Sequence, residues 1–269
     1  MVERPRVLTI ATLVAALPAC LTVIGWAHRT DPLSAVFSDA ISISIKANAA
    51  AGILFLCLAL LALLIPDSAT TSTSTGWRLP GGKETACILA LAPFLLGLAT
   101  FVEYALHLNL GTDQWMFRER MASFFEFPGR LAPVTAADLM AASIMIWSFA
   151  YRGFGRCTRV SFFFVFITAY QSLLGYLFNL SYVFGNHWYN QMAASTSLSL
   201  VVMSAGFAIS CQTRVDWRRA GTAIVVPILT NAVLMLLQSY AWDDTTAQQC
   251  IRLATDTGLF ALAASRKDK

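Results

Sequence analysis

Eight apolar runs, each about 18–24 residues long, take up most of this chain and decide what it can fold into. At the rise of an α-helix, a run of that length covers a hydrocarbon layer roughly 30 Å thick. The runs cover residues 7–26, 42–65, 86–107, 133–151, 158–180, 192–211, 220–242 and 246–265. They predict an all-α integral membrane protein, a single transmembrane domain over 1–269 with eight transmembrane helices. Only 13% of the 269 residues are charged and 57% are hydrophobic, and mean hydropathy is +0.62, which excludes an ordinary soluble domain. The first run exceeds the apolar core of a removable signal peptide and is read as a span. The six cysteines form no CxxC pair and read as small apolar packing residues.

An even number of spans places both termini on one side. That side carries thirteen of the 19 basic residues but only five of the 15 acidic ones, a balance of +8 against −4 on the other side. Cytoplasmic loops collect Lys and Arg, so the termini are expected in the cytoplasm and the chain in a bacterial inner membrane. The excess positive charge belongs to this asymmetry, and no nucleic-acid partner is expected.

The spans pair into about four helical-hairpin repeats. Ile45-Lys46-Ala47-Asn48-Ala49-Ala50-Ala51 aligns with Leu131-Ala132-Pro133-Val134-Thr135-Ala136-Ala137 and with Met192-Ala193-Ala194-Ser195-Thr196-Ser197-Leu198. The preceding spans end in Gly25-Trp26, Glu103-Tyr104 and Gly175-Tyr176, each with an aromatic residue at the outer interface. Gln238-Ser239-Tyr240 and Arg252-Leu253-Ala254-Thr255 form a weaker fourth copy. Pro133 and the Asn, Ser and Thr residues are expected to cap the outer helix ends, and the small residues to permit close packing.

Glu103-Tyr104, then Leu110-Gly111-Thr112-Asp113-Gln114-Trp115-Met116-Phe117, then Gly129-Arg130-Leu131-Ala132-Pro133-Val134-Thr135-Ala136 resemble the pattern of a polytopic membrane sensor module. Such modules lie N-terminal to bacterial histidine kinases and diguanylate cyclases. Val134 stands where the pattern has Asn. The resemblance implies a sensory and signalling role, with an output domain after Ser265; here Arg266-Lys267-Asp268-Lys269 follows. Either the chain is a stand-alone relative, or its output belongs to a cytoplasmic signalling partner.

Ionisable groups within spans are costly and therefore mark candidate sites. Lys46, Glu103, Asp138, Arg252 and Asp256 fall toward the outer ends of their spans, with Asn48, Tyr104 and Gln238 beside them. Together they outline an outward-facing polar crevice, read either as pairs locking hairpins together or as a pocket for a small or apolar ligand. Glu103 has no Lys or Arg three or four positions away, so Lys46, Arg252 or Gln238 is expected to partner it from another span. Arg252 and Asp256 share a helix face and are expected to pair. His28, His107 and His187 sit at outer span ends or loops, a weak candidate metal set without HxxxH or HExxH spacing. The loop 113–128 reads as an amphipathic interfacial segment, and 67–76 as a flexible linker.

No nucleophile elbow, zincin helix or P-loop is present, so neither enzymatic activity nor a cofactor is expected. The leading expectation is a sensory membrane module relaying helix shifts to a cytoplasmic partner or within a homo-oligomer. A transporter or channel built from hairpin repeats, or a structural subunit of a larger membrane complex, are the alternatives.

Overall fold

The structure, a computed structural model, describes residues 2–28, 46–66, 80–111, 130–177 and 192–211. The expected spans 220–242 and 246–265 and the loops 67–76 and 113–128 lie outside the described residues, as do Gln238, Arg252, Asp256 and His187.

Six α-helices and no strand are found among the described residues: α1 (Pro5–His28), α2 (Ala47–Ala62), α3 (Gly82–Leu106), α4 (Pro133–Arg152), α5 (Arg156–Leu177) and α6 (Ala194–Cys211). All but α2 are long and apolar enough to cross a membrane. Expected and observed helix limits differ by up to about one turn. Helix α3 begins at Gly82 because Glu84 accepts a hydrogen bond from the Gly81 N–H at 3.0 Å and so closes its first turn.

Each helix packs on its neighbours in sequence, and α6 closes a ring onto α1, while α2 also touches α4 and α6. The even-numbered helices are the more deeply buried, and α1 and α3 turn much of their apolar surface outward. That outward surface includes Ile10, Leu17, Ile88 and Leu95, the expected lining of a bundle facing lipid.

The even-numbered helices begin at aligned residues, Ala47, Pro133 and Ala194. Their buried positions coincide as well. Thr135, Ala136, Asp138, Leu139, Ala142, Ser143, Met145, Ile146 and Phe149 of α4 align one for one with Thr196, Ser197, Ser199, Leu200, Met203, Ser204, Gly206, Phe207 and Ser210 of α6. Up to Ile146 they also align with Ala49, Ala50, Gly52, Ile53, Leu56, Cys57, Ala59 and Leu60 of α2.

Small residues set the helix spacing. A Cβ on Gly97 would stand 2.6 Å from the Ala136 carbonyl oxygen, and one on Gly206 would collide with the Ala11 methyl. These glycines let α3 approach α4, and α6 approach α1, at backbone distance. Hydroxyls in the helices donate back to carbonyls one turn earlier: Thr22 to Pro18, Thr100 to Leu96, Ser143 to Leu139, Ser197 to Ala193 and Ser204 to Leu200. Such bonds satisfy a polar group where no water is at hand.

The expected side-chain caps are not what starts α2 and α4. Lys46 and Ala132 occupy the N-cap positions of α2 and α4 without a side-chain cap bond. Pro133 does take the first helical position of α4, where its missing N–H costs nothing. Asn48 and Thr135 are turned into the bundle instead, because they lie on the buried stripe of their helices.

A candidate polar site at the distal end of the bundle

Helices α1, α3 and α5 finish, and α2, α4 and α6 begin, at one end of the bundle, here called distal. The other, amino-terminal end is where the Glu3 and Arg4 N–H groups donate to the Ser210 carbonyl.

Helix α3 buries one stripe, running Ala86, Ala90, Pro93, Gly97, Thr100 and Glu103. Helical phase therefore carries the Glu103 carboxylate into the bundle at the distal end, where it is fully buried. A carboxylate at a helix C-terminus also faces the negative end of the helix dipole, so it requires compensation. Two groups reach the carboxylate, the Leu110 N–H and the Arg130 guanidinium, once the end of the helix has been closed. His107, in a left-handed conformation (φ 51°), ends the helix with its N–H on the Glu103 carbonyl. The Leu108 N–H donates to that same carbonyl at 3.1 Å. The chain then doubles back, so that the Leu110 N–H donates to Glu103 Oε1 at 3.0 Å. Gly111 (φ 73°) follows, its N–H donated to the Asn109 side chain at 2.9 Å.

The second is Arg130, nearly buried, whose Nε lies 3.6 Å from Glu103 Oε2. Its Nη2 donates to the Leu108 carbonyl at 3.1 Å, and its guanidinium lies 5.3 Å from the centre of the Tyr104 ring, a cation–π contact. Tyr104 in turn donates its O–H to the Leu131 carbonyl at 3.0 Å. One arginine thus joins the end of α3, the returning chain and the approach to α4.

Arg130, from the segment immediately before α4 and not from within a span, is a partner of Glu103 beyond the expected Lys46, Arg252 and Gln238, of which Arg252 and Gln238 lie outside the described residues. The signal was in the sequence, because Glu103 and Arg130 flank the distal connection of one antiparallel hairpin and both belong to the sensor-like motif. Glu103, Tyr104, Leu110, Arg130 and Leu131, quoted for that motif, are the residues the structure brings into contact.

Tyr176 at the end of α5 repeats the Tyr104 bond in register, donating its O–H to the Met192 carbonyl at 2.8 Å. Leu131 and Met192 are aligned residues, each two before the first residue of its even helix.

Asp138 lies in the second turn of α4, fully buried, and contacts Thr168 of α5 at 2.6 Å. Lys46 and Asn48 lie at the start of α2, Lys46 partly exposed and Asn48 buried. Among the described residues no group of three or more His, Cys, Asp and Glu side chains is placed to hold a metal ion. His107 serves as the helix stop described above, whereas the His28 side chain and all of His187 are outside the described residues.

Comparison with known proteins gives no match: no protein-family model fits the chain, and neither a curated protein nor a solved structure matches it.

Proposed function

We propose that the chain is a sensory module of a bacterial inner membrane. Its distal polar site faces outward to meet a small or apolar ligand, and its helices relay the change to a cytoplasmic signalling partner. The observation that carries this reading is the buried Glu103–Arg130 pair, which ties α3, the returning segment Leu108–Leu110 and the approach to α4 into one lock. A buried charge pair is weak support for stability, since apolar side chains of similar size hold helices together as well. Its use is as a two-state contact: a ligand that competes for either charge releases both helix ends together. The helices that the lock joins run on to the opposite end, where the Trp147 indole N–H of α4 donates to the Cys87 carbonyl of α3 at 2.9 Å. A displacement of α4 against α3 at the distal end is thus passed to the turn at Gly153.

Amide hydrogen exchange on the full chain in lipid nanodiscs tests the relay without a known ligand. Glu103→Gln, which weakens the lock while keeping its shape, is expected to speed exchange at Gly153 and Gly155 of the α4–α5 turn as well as at Leu110. Acceleration confined to the distal end would contradict a relay.

A further inference from the structure

Thr168 Oγ1 stands 2.6 Å from Asp138 Oδ1, 2.7 Å from the Phe164 carbonyl oxygen and 3.2 Å from the Val165 carbonyl oxygen. A threonine hydroxyl has one proton and a carbonyl oxygen has none, so Thr168 alone cannot fill both short contacts. If it donated to an ionised Asp138, two lone-pair oxygens would face each other at 2.7 Å with no proton between them. If it donates to Phe164, the proton in the 2.6 Å contact comes from Asp138. Only the second arrangement places a proton in each of the two short contacts.

The surroundings point the same way. Asp138 is fully buried, and among the described residues its Oδ2 has no hydrogen-bond partner and its carboxyl makes no ion pair. An ionised carboxylate with a single neutral donor among the described residues, in a low-dielectric interior, would cost several kcal/mol. We infer that Asp138 is a proton-binding site within the membrane-spanning bundle: a neutral carboxylic acid that donates to Thr168, which donates to the Phe164 carbonyl.

The titratable groups on the helices packed against α4 leave this site its own proton. On α3, Glu103 is held by Arg130 and Tyr104 by the Leu131 carbonyl, while Lys83, Glu84 and Cys87 start the helix at the opposite end. On α5, Arg156 and Arg159 begin the helix at that same opposite end, Tyr170 stacks on Phe166 and Tyr176 binds the Met192 carbonyl. On α2, Lys46 precedes the helix and Cys57 lies in its third turn. Loss of the proton would force Thr168 to turn its O–H from its own helix toward α4, so the charge state of one carboxyl rewrites the α4–α5 contact. This inference stands apart from the sensory reading and needs no ligand at the distal lock.

Infrared spectroscopy of the full chain in nanodiscs, with and without isotope-labelled aspartate, reads the protonation state. At neutral pH an aspartic-acid C=O band that shifts with the label is expected; it should vanish in Asp138→Asn and persist in Glu103→Gln. Should Asp138→Asn fail to fold, Thr168→Val removes the acceptor, and the band is expected to remain but move to higher frequency. Absence of any labelled acid band in the native chain would overturn the inference. So would a band that survives Asp138→Asn, or one unmoved by Thr168→Val.

Discussion

Removing Glu103 and removing Arg130 should cost unequal amounts, because each change strands the other buried charge in different company. Arg130→Leu leaves a carboxylate in an apolar end of the bundle with the Leu110 N–H as its neutral support, and such a stranded charge costs about 3–5 kcal/mol. Glu103→Gln keeps an acceptor for Leu110 and strands a guanidinium that still has the Leu108 carbonyl and the Tyr104 ring, so it should cost less. The double variant Glu103→Leu with Arg130→Leu should be more stable than Arg130→Leu alone, since it removes both charges. Thermal unfolding in detergent checks the order; an Arg130→Leu protein as stable as the native chain would show that the pair is solvated.

The element scale is where the sequence was most legible. Hydropathy located the helices, and the alignment of Ile45, Leu131 and Met192 placed the even helices in their common register, because burial on one stripe forces the same small and hydroxyl residues onto each copy. The same logic makes Tyr104→Phe and Tyr176→Phe equivalent changes: each deletes one O–H bond to a carbonyl two residues ahead of a helix and is expected to cost about 1 kcal/mol. A large cost in one and none in the other would break the equivalence. Gly97→Leu should cost more, about 1–3 kcal/mol or beyond, because the Ala136 backbone cannot yield as a side chain would. Gly155→Ala, whose nearest neighbour would be 3.9 Å away, serves as the neutral comparison. What pattern could not supply was tertiary detail. Thr135 looked like a cap from its place near a helix start, but its phase on the buried stripe turned it inward, and the cap position went to Ala132. Arg130 stood in the sequence on the same distal connection as Glu103, but the doubling back of the chain after His107 that brings both to one place is tertiary detail.

For the whole molecule, the described helices form a ring of apolar elements with Glu103 paired to Arg130 at the distal end and hydroxyls such as those of Ser143 and Ser204 bonded within their own helices. Which way that ring faces decides whether the Glu103–Arg130 lock meets the outside or the cytoplasm. The excess of Lys and Arg on the terminal side argues for an outward lock. Labelling of single cysteines in intact cells by a membrane-impermeant maleimide settles the question, using an otherwise cysteine-free chain carrying either Asn109→Cys beside the lock or Gly155→Cys at the opposite turn. The account predicts that Asn109→Cys is labelled without lysis and Gly155→Cys only after the membrane is permeabilised. The reverse pattern, or labelling of both in intact cells, would contradict an outward-facing site.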